Sequence, residues 1–134
     1  AVAVDEKAIV AAGTSTGGVG HEIPGRVSDS ASVAGTFADS AGGVSCTGKG
    51  EHIINQAVAA QVVSRLRDNI PLKRILTELM KEGASRKHEF GLISLDRNGK
   101  FGVRSTRRSI SVLYALKDSQ HELNFTDGGR NLIL

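Results

Sequence analysis

Apolar residues recur along this chain with two different periods. Ala1 to Asp5 (AVAVD) and Ala8 to Thr14 are short runs of small and β-branched residues on either side of Glu6-Lys7. Such runs suit a hairpin or a pair of buried strands. Ser15 to Ser32 breaks the pattern: it is rich in glycine, serine and charge, contains Pro24-Gly25, and reads as a long loop. A loop of that length in a compact domain is usually functional or disordered. Strand character returns over Val33 to Asp39 and Gly43 to Cys46, separated by Ser40-Ala41-Gly42.

From Glu51 the spacing becomes helical. Ile54, Val58, Val62 and Leu66, with Ile53 and Ala57 beside them, mark one apolar face. Pro71 suits the first turn of a second helix, whose stripe is Leu72, Ile75, Leu76, Leu79 and Met80 and which Gly83 can end. Phe90 to Asp96 and Phe101 to Ser105 flank Arg97-Asn98-Gly99-Lys100, a hairpin with an Asn-Gly turn. Ser109 to Leu116 and Leu123 to Phe125 are further strand candidates. Strands, two helices, then strands is an α+β or layered α/β order, without internal repeats.

Composition narrows the class. With 134 residues, 40% of them hydrophobic and two prolines, residues 1–134 are expected to be one folded domain or part of one. No apolar run is long enough to span a bilayer and nothing resembles a signal peptide, so no membrane partner is expected. The single cysteine, Cys46, excludes an internal disulfide and an all-cysteine metal site, which makes a reducing, cytoplasmic setting the default. The net charge is +3, and the basic residues are spread out apart from Arg104, Arg107 and Arg108. Nucleic-acid stacking needs aromatics interleaved with positive charge, so a solvated face or an anionic pocket rim is the better reading. Ala1 opens directly into strand-like sequence and Met80 is the sole methionine, so the N-terminus is expected to be processed or cut.

Three stretches could carry chemistry. Thr14-Ser15-Thr16-Gly17-Gly18 puts hydroxyls at a strand end before two glycines, which allows close backbone approach to a ligand; an ordinary polar turn has the same composition. In Pro24-Gly25-Arg26-Val27-Ser28-Asp29, Arg26 offers a planar fork for a carboxylate and Asp29 can accept from an ammonium group. A surface ion pair would use the same two residues. In Ser45-Cys46-Thr47-Gly48-Lys49-Gly50-Glu51, a strand ends at a hydroxyl, glycines follow, and a helix starts. That arrangement suits phosphate or the oxyanion of acyl transfer. Gly43 to Lys49 fits the phosphate-loop spacing, but Gly50 stands where a magnesium-binding Ser or Thr belongs, which argues against a nucleotide. His21, His52, His88 and His121 are scattered, with no HExxH, so no metal is expected. There is no G-x-S-x-G elbow, and Cys46 reads as a buried, inert strand residue.

TSTGG at 14–18, PGRVSDS at 24–30 and SCTGKGE at 45–51, in this order and spacing, resemble the β subunit of plant-type asparaginases, also called isoaspartyl peptidases, which are N-terminal-nucleophile hydrolases. The likeness covers roughly residues 1 to 100, including AVAVD, the two helices and the FGLISLDRNGK hairpin. It implies half of a four-layer αββα sandwich and a precursor that cuts itself into α and β chains. The β chain would then begin with a threonine whose hydroxyl attacks the amide while its own amine acts as base. That threonine opens a T-x-G triplet before the segment matching AVAVD, so it lies upstream of Ala1.

Carried over by position, Thr16 would support the nucleophile, Arg26 would hold the substrate α-carboxylate and Asp29 its α-amino group. Thr47 and the Gly48 N–H would form the oxyanion hole, and Gly50 would add backbone contacts. The implied substrates are asparagine and β-aspartyl peptides, with no cofactor. The implied partner is an α subunit from the same precursor, in an (αβ)2 particle. Ser28 stands where glycine is usual, which would alter only a loop torsion. Arg104 to Ser111 departs from the family's segment near the pocket, and the tail from Asp118 onward carries none of the motifs on which the resemblance rests. Alternative readings are a glycosylasparaginase-like amidase and a non-catalytic homologue that binds amino acids or a partner for its basic face.

Overall fold

The computed structural model describes residues 1–106, 115 and 117, and the backbone of 132 and 133. β1 (Val2–Val4) and β2 (Val10–Ala12) pair antiparallel, with Ala3 opposite Ala11. The Asp5 carboxylate closes their loop by accepting the backbone N–H groups of Lys7 and Ile9 at 2.9 and 2.8 Å. This is the expected hairpin, and its strands are half-buried.

A second sheet contains β3 (Thr36–Asp39), β4 (Gly42–Gly48), β5 (Phe90–Asp96), β6 (Phe101–Ser105) and β7 (Leu132–Ile133), adjacent in that order. All neighbouring pairs are antiparallel. Three helices, α1 (Gly50–Gln56), α2 (Val58–Arg67) and α3 (Leu72–Ser85), connect β4 to β5. The class is α+β, as expected.

β4 is covered on both faces, and its glycines show how. A Cβ at Gly42 would meet Leu66 of α2, whereas one at Gly43 would lie 3.0 Å from Val10 Cγ1 of β2. Strand alternation therefore turns Val44 and Cys46 toward the helices, and Ser45 and Thr47 toward the β1–β2 side. On the helical side the core is fully closed off: Val44, Ile53, Val58, Val62, Val63, Ile75, Leu76, Phe90 and Leu92 are all 0% exposed. Burying a side chain of this kind contributes about 1.5–3 kcal/mol.

The β5–β6 hairpin has the bounds read from the sequence. Asp96 Oδ1 accepts the N–H groups of Asn98 and Lys100 at 2.8 and 2.9 Å, and Gly99 supplies a φ of +83°. Elsewhere the structure corrects the reading. The stretch expected to be one helix from Glu51 is two, broken at Ala57, which adopts a left-handed conformation (φ 46°, ψ 46°). The break follows from tertiary contacts: the Ala59 N–H donates to the Ala34 carbonyl at 2.8 Å, and Gln56 turns inward. Ile54, placed on the apolar face by its spacing, is exposed as a result, while Ile53 is buried.

Gly83 does not end α3 but lies inside it, where a Cβ would come 2.8 Å from Thr106 Cγ2 and 3.0 Å from Phe90 Cε1. Glycine there lets the helix lie directly on the sheet. Val33 is exposed, and strand pairing starts only at Thr36. β7 was not anticipated. The strands expected over Ser109 to Leu116 and Leu123 to Phe125 lie, Ala115 apart, outside the described residues, as do Arg107, Arg108 and His121.

Candidate active site

β4 ends at Gly48, and Lys49 passes the chain into α1. This junction, the Thr14–Val19 segment and the Glu22–Ala31 segment wall a single open groove of about 1160 Å³. Thr16, Arg26, Asp29, Thr47, Gly48 and Gly50 all line it, and so does Ala1. Residues up to 49 positions apart in sequence thus converge on one space.

The Thr14–Gly18 stretch does more than turn the chain. Thr14 Oγ1 lies 2.7 Å from Ser45 Oγ and also bonds the Thr36 hydroxyl, tying the end of the β1–β2 sheet to β3 and β4. Thr16 Oγ1 accepts the Gly18 N–H at 3.1 Å and is exposed to the groove.

Arg26 is held by carboxylates other than Asp29. Its Nη1 lies 3.6 Å from Glu22 Oε1 and its Nη2 lies 3.3 Å from Glu51 Oε1. Both carboxyls titrate below the ordinary range. For Glu22 the chief cause is the Val19 N–H; for Glu51 it is its own backbone N–H, followed by Arg26. The guanidinium therefore already faces acidic oxygens at the groove.

Asp29 is buried, at 5% exposure, in a single 3-10 turn (Asp29–Ala31). Its Oδ1 accepts the Ser28 hydroxyl at 3.0 Å, and its backbone carbonyl accepts the Ser32 N–H at 2.8 Å and the Ser32 hydroxyl at 2.7 Å. Ser28 is thus a working contact, where the sequence comparison gave it only a loop torsion. Gly50 faces the same pair. A Cβ there would collide with Ser28 Oγ and come 2.9 Å from Asp29 Oδ1. Packing against this carboxylate explains the glycine where a phosphate loop would carry a hydroxyl.

Thr47 and Gly48 are exposed. Gly48 has φ +130°, and a Cβ on it would lie 2.6 Å from the Glu89 carbonyl oxygen. Behind them Cys46 is 5% exposed, with Sγ 3.9 Å from the Ala34 carbonyl. Burial, and then the Asp29 charge, push its thiol well above its usual range. A thiol held protonated is a poor nucleophile, which agrees with the inert reading.

Sequence reasoning missed Glu22 and Glu51 as partners of Arg26. It also treated His52 and His88 as scattered, whereas their rings stack with centroids 4.8 Å apart and planes 13° apart. No local pattern announces a pair that only the fold assembles.

The family model described as Asparaginase matches residues 1–124. This chain belongs to the asparaginase family. It is 42% identical over 131 residues to the isoaspartyl peptidase/L-asparaginase of Synechocystis sp., covering 95% of this chain and 39% of that protein. It is 47% identical over 98 residues to the protein of the same name from Nostoc sp., covering 73% and 31%. With the isoaspartyl peptidase of Escherichia coli the identity is 41% over 112 residues, covering 77% and 33%. The chain thus spans at most two-fifths of the length of these three relatives. Among the described residues no helix is long and apolar enough to cross a membrane.

Proposed function

We propose that this family member is the β subunit of an isoaspartyl peptidase/L-asparaginase, hydrolysing the side-chain amide of asparagine and of β-aspartyl peptides. The observation that carries this reading is the convergence of Thr16, Arg26, Asp29, Thr47, Gly48 and Gly50 on one groove that also reaches Ala1. A threonine in a T-x-G triplet preceding Ala1 would enter that groove. Its neutral α-amine takes the hydroxyl proton, and the oxygen attacks the amide carbon. Negative charge collects on the former carbonyl oxygen, where Thr47 Oγ1 and the Gly48 N–H donate to it. The amine returns the proton to the leaving nitrogen, and ammonia or an amino acid departs. Water then cleaves the aspartyl ester and releases aspartate.

Arg26 binds the substrate α-carboxylate in place of Glu22 and Glu51, as a planar fork can. Asp29, an acceptor set in the wall, receives the α-ammonium group. Thr16 hydrogen-bonds the nucleophile. Two features support a partner chain. Among the described residues the β1–β2 sheet has two strands, and Ile9, Val19, Ile23 and Val27 are all more than 60% exposed. An α chain cut autocatalytically from the same precursor would cover them, completing the four-layer αββα sandwich in an (αβ)2 particle. The buried Cys46 suits a reducing cytoplasm.

The test is to make this chain together with its α partner and assay aspartate release from asparagine and from a β-aspartyl dipeptide, with sequencing of the β N-terminus. Turnover by a chain beginning with threonine is expected. Amino-acid binding without turnover would favour a non-catalytic homologue.

A further inference from the structure

His52, the third residue of α1, directs its ring at the chain entering β5. Its Nδ1 accepts the Glu89 N–H at 2.9 Å. The Glu89 carbonyl in turn accepts the Lys49 N–H at 2.9 Å, and Glu89 Oε2 lies 2.9 Å from Lys49 Nζ. Gly48 packs against that same carbonyl. One residue, Glu89, is therefore held on its N–H side by His52 and on its carbonyl side by Lys49, with Gly48 against it.

The second ring fixes the first. His88 stacks on His52, and its Nδ1 lies 2.9 Å from Gln56 Oε1. Gln56 is buried, and its Nε2 donates to the Leu79 carbonyl at 3.4 Å, so the oxygen faces His88. His88 Nδ1 must then carry a proton, whereas His52 Nδ1 must not.

We propose that His52, braced by His88, is a positioning residue for the oxyanion donors Thr47 and Gly48, acting through Glu89 and only while its Nδ1 is unprotonated. The inference rests on the function proposed above. Protonating His52 would turn an N–H toward the Glu89 N–H and release the loop. The charged and titratable groups facing the pair are Glu51 on α1, Lys49 and Glu89 beside it, and Glu82 and Arg86 at the end of α3. Burial first, then His52 and Arg86, hold His88 below the usual imidazole range, which favours a neutral stack.

Two variants in the assembled αβ protein test this. His52→Asn keeps an acceptor near the Nδ1 position without titrating; His52→Leu removes it. His52→Leu is expected to lower kcat roughly tenfold to a hundredfold with KM little changed, and to speed hydrogen exchange of the Glu89 amide. His52→Asn should restore both. In the wild type, protection of that amide should fall once His52 takes up a proton in acid, because Nδ1 then loses its acceptor lone pair, whereas in His52→Asn it should stay flat. Wild-type kcat in the leucine variant, or no rescue by asparagine, overturns the positioning role alone. A wild type inactive on both substrates, properly assembled, overturns the underlying function and this proposal with it.

Discussion

Gly50 lies against Asp29 so closely that a Cβ would come 2.9 Å from Oδ1, with Ser28 Oγ closer still. Gly50→Ala should therefore push Asp29 and Ser28 out of place. Overpacking of this kind costs about 1–3 kcal/mol, which thermal unfolding would register as a lower Tm. Aspartate binding should weaken as well. An alanine variant with unchanged Tm and affinity would mean that the loop yields freely.

Arg26→Ala removes a charged fork from the groove. Charge-assisted hydrogen bonds contribute about 1.5–3 kcal/mol, so calorimetry with aspartate should show at least about a tenfold loss. Arg26→Lys should recover part of it, since an ammonium cannot bond two oxygens in one plane. Equal affinity in wild type and alanine variant would remove Arg26 from the binding site.

Thr47→Val tests the oxyanion assignment. Deleting one such donor costs on the order of 10²–10³ in rate, so kcat should fall while KM holds. If Thr47 merely satisfies the strand end, Tm would drop and kcat would stay. Measuring both separates the two roles.

Ala57 gives opposite signs for two local structures. An L-residue in the left-handed region costs roughly 1–2 kcal/mol, so Ala57→Gly should raise Tm. In a continuous helix the same change would lower stability by about 1 kcal/mol. A fall in Tm would argue for the unbroken helix.

His88 links stability to pH. Its imidazole pKa is lowered in the fold by burial and by His52, so between that value and the unfolded value of 6.5 the unfolded chain binds more protons. The His88 contribution is complete above pH 6.5 and is lost as pH falls toward the folded pKa. Denaturant midpoints measured from pH 8 down to about pH 5 should fall less steeply in His88→Gln than in the wild type. Identical slopes would remove His88 from that dependence.

What the sequence made legible was local. The β5–β6 hairpin could be read because its signals, alternation and Asn98-Gly99, lie within a few residues of the turn they build. Leu72, Ile75, Leu76 and Leu79 mark the buried face of α3 for the same reason. The groove residues were reachable through ordered motifs. The contacts that hold them were not. Ala57 is a strong helix former overridden by the Ala34 carbonyl and the inward turn of Gln56, both set by distant chain. Gly83 resembles a terminator until Phe90 and Thr106 are packed on it. Arg26 chooses Glu22 and Glu51 over Asp29 because Asp29 is buried, and burial is a tertiary property.

The two faces of β4 carry different duties on adjacent residues, Cys46 in the core and Thr47 at the groove. A slip of one residue in strand pairing would exchange every side chain between the faces. It would drive the threonine hydroxyl into hydrocarbon and present the thiol to solvent, so a misregistered molecule would be unstable. On the role proposed for Thr47, the same alignment error that spoils the core would also take the oxyanion donor out of the groove, so correct folding and a complete site would stand or fall together.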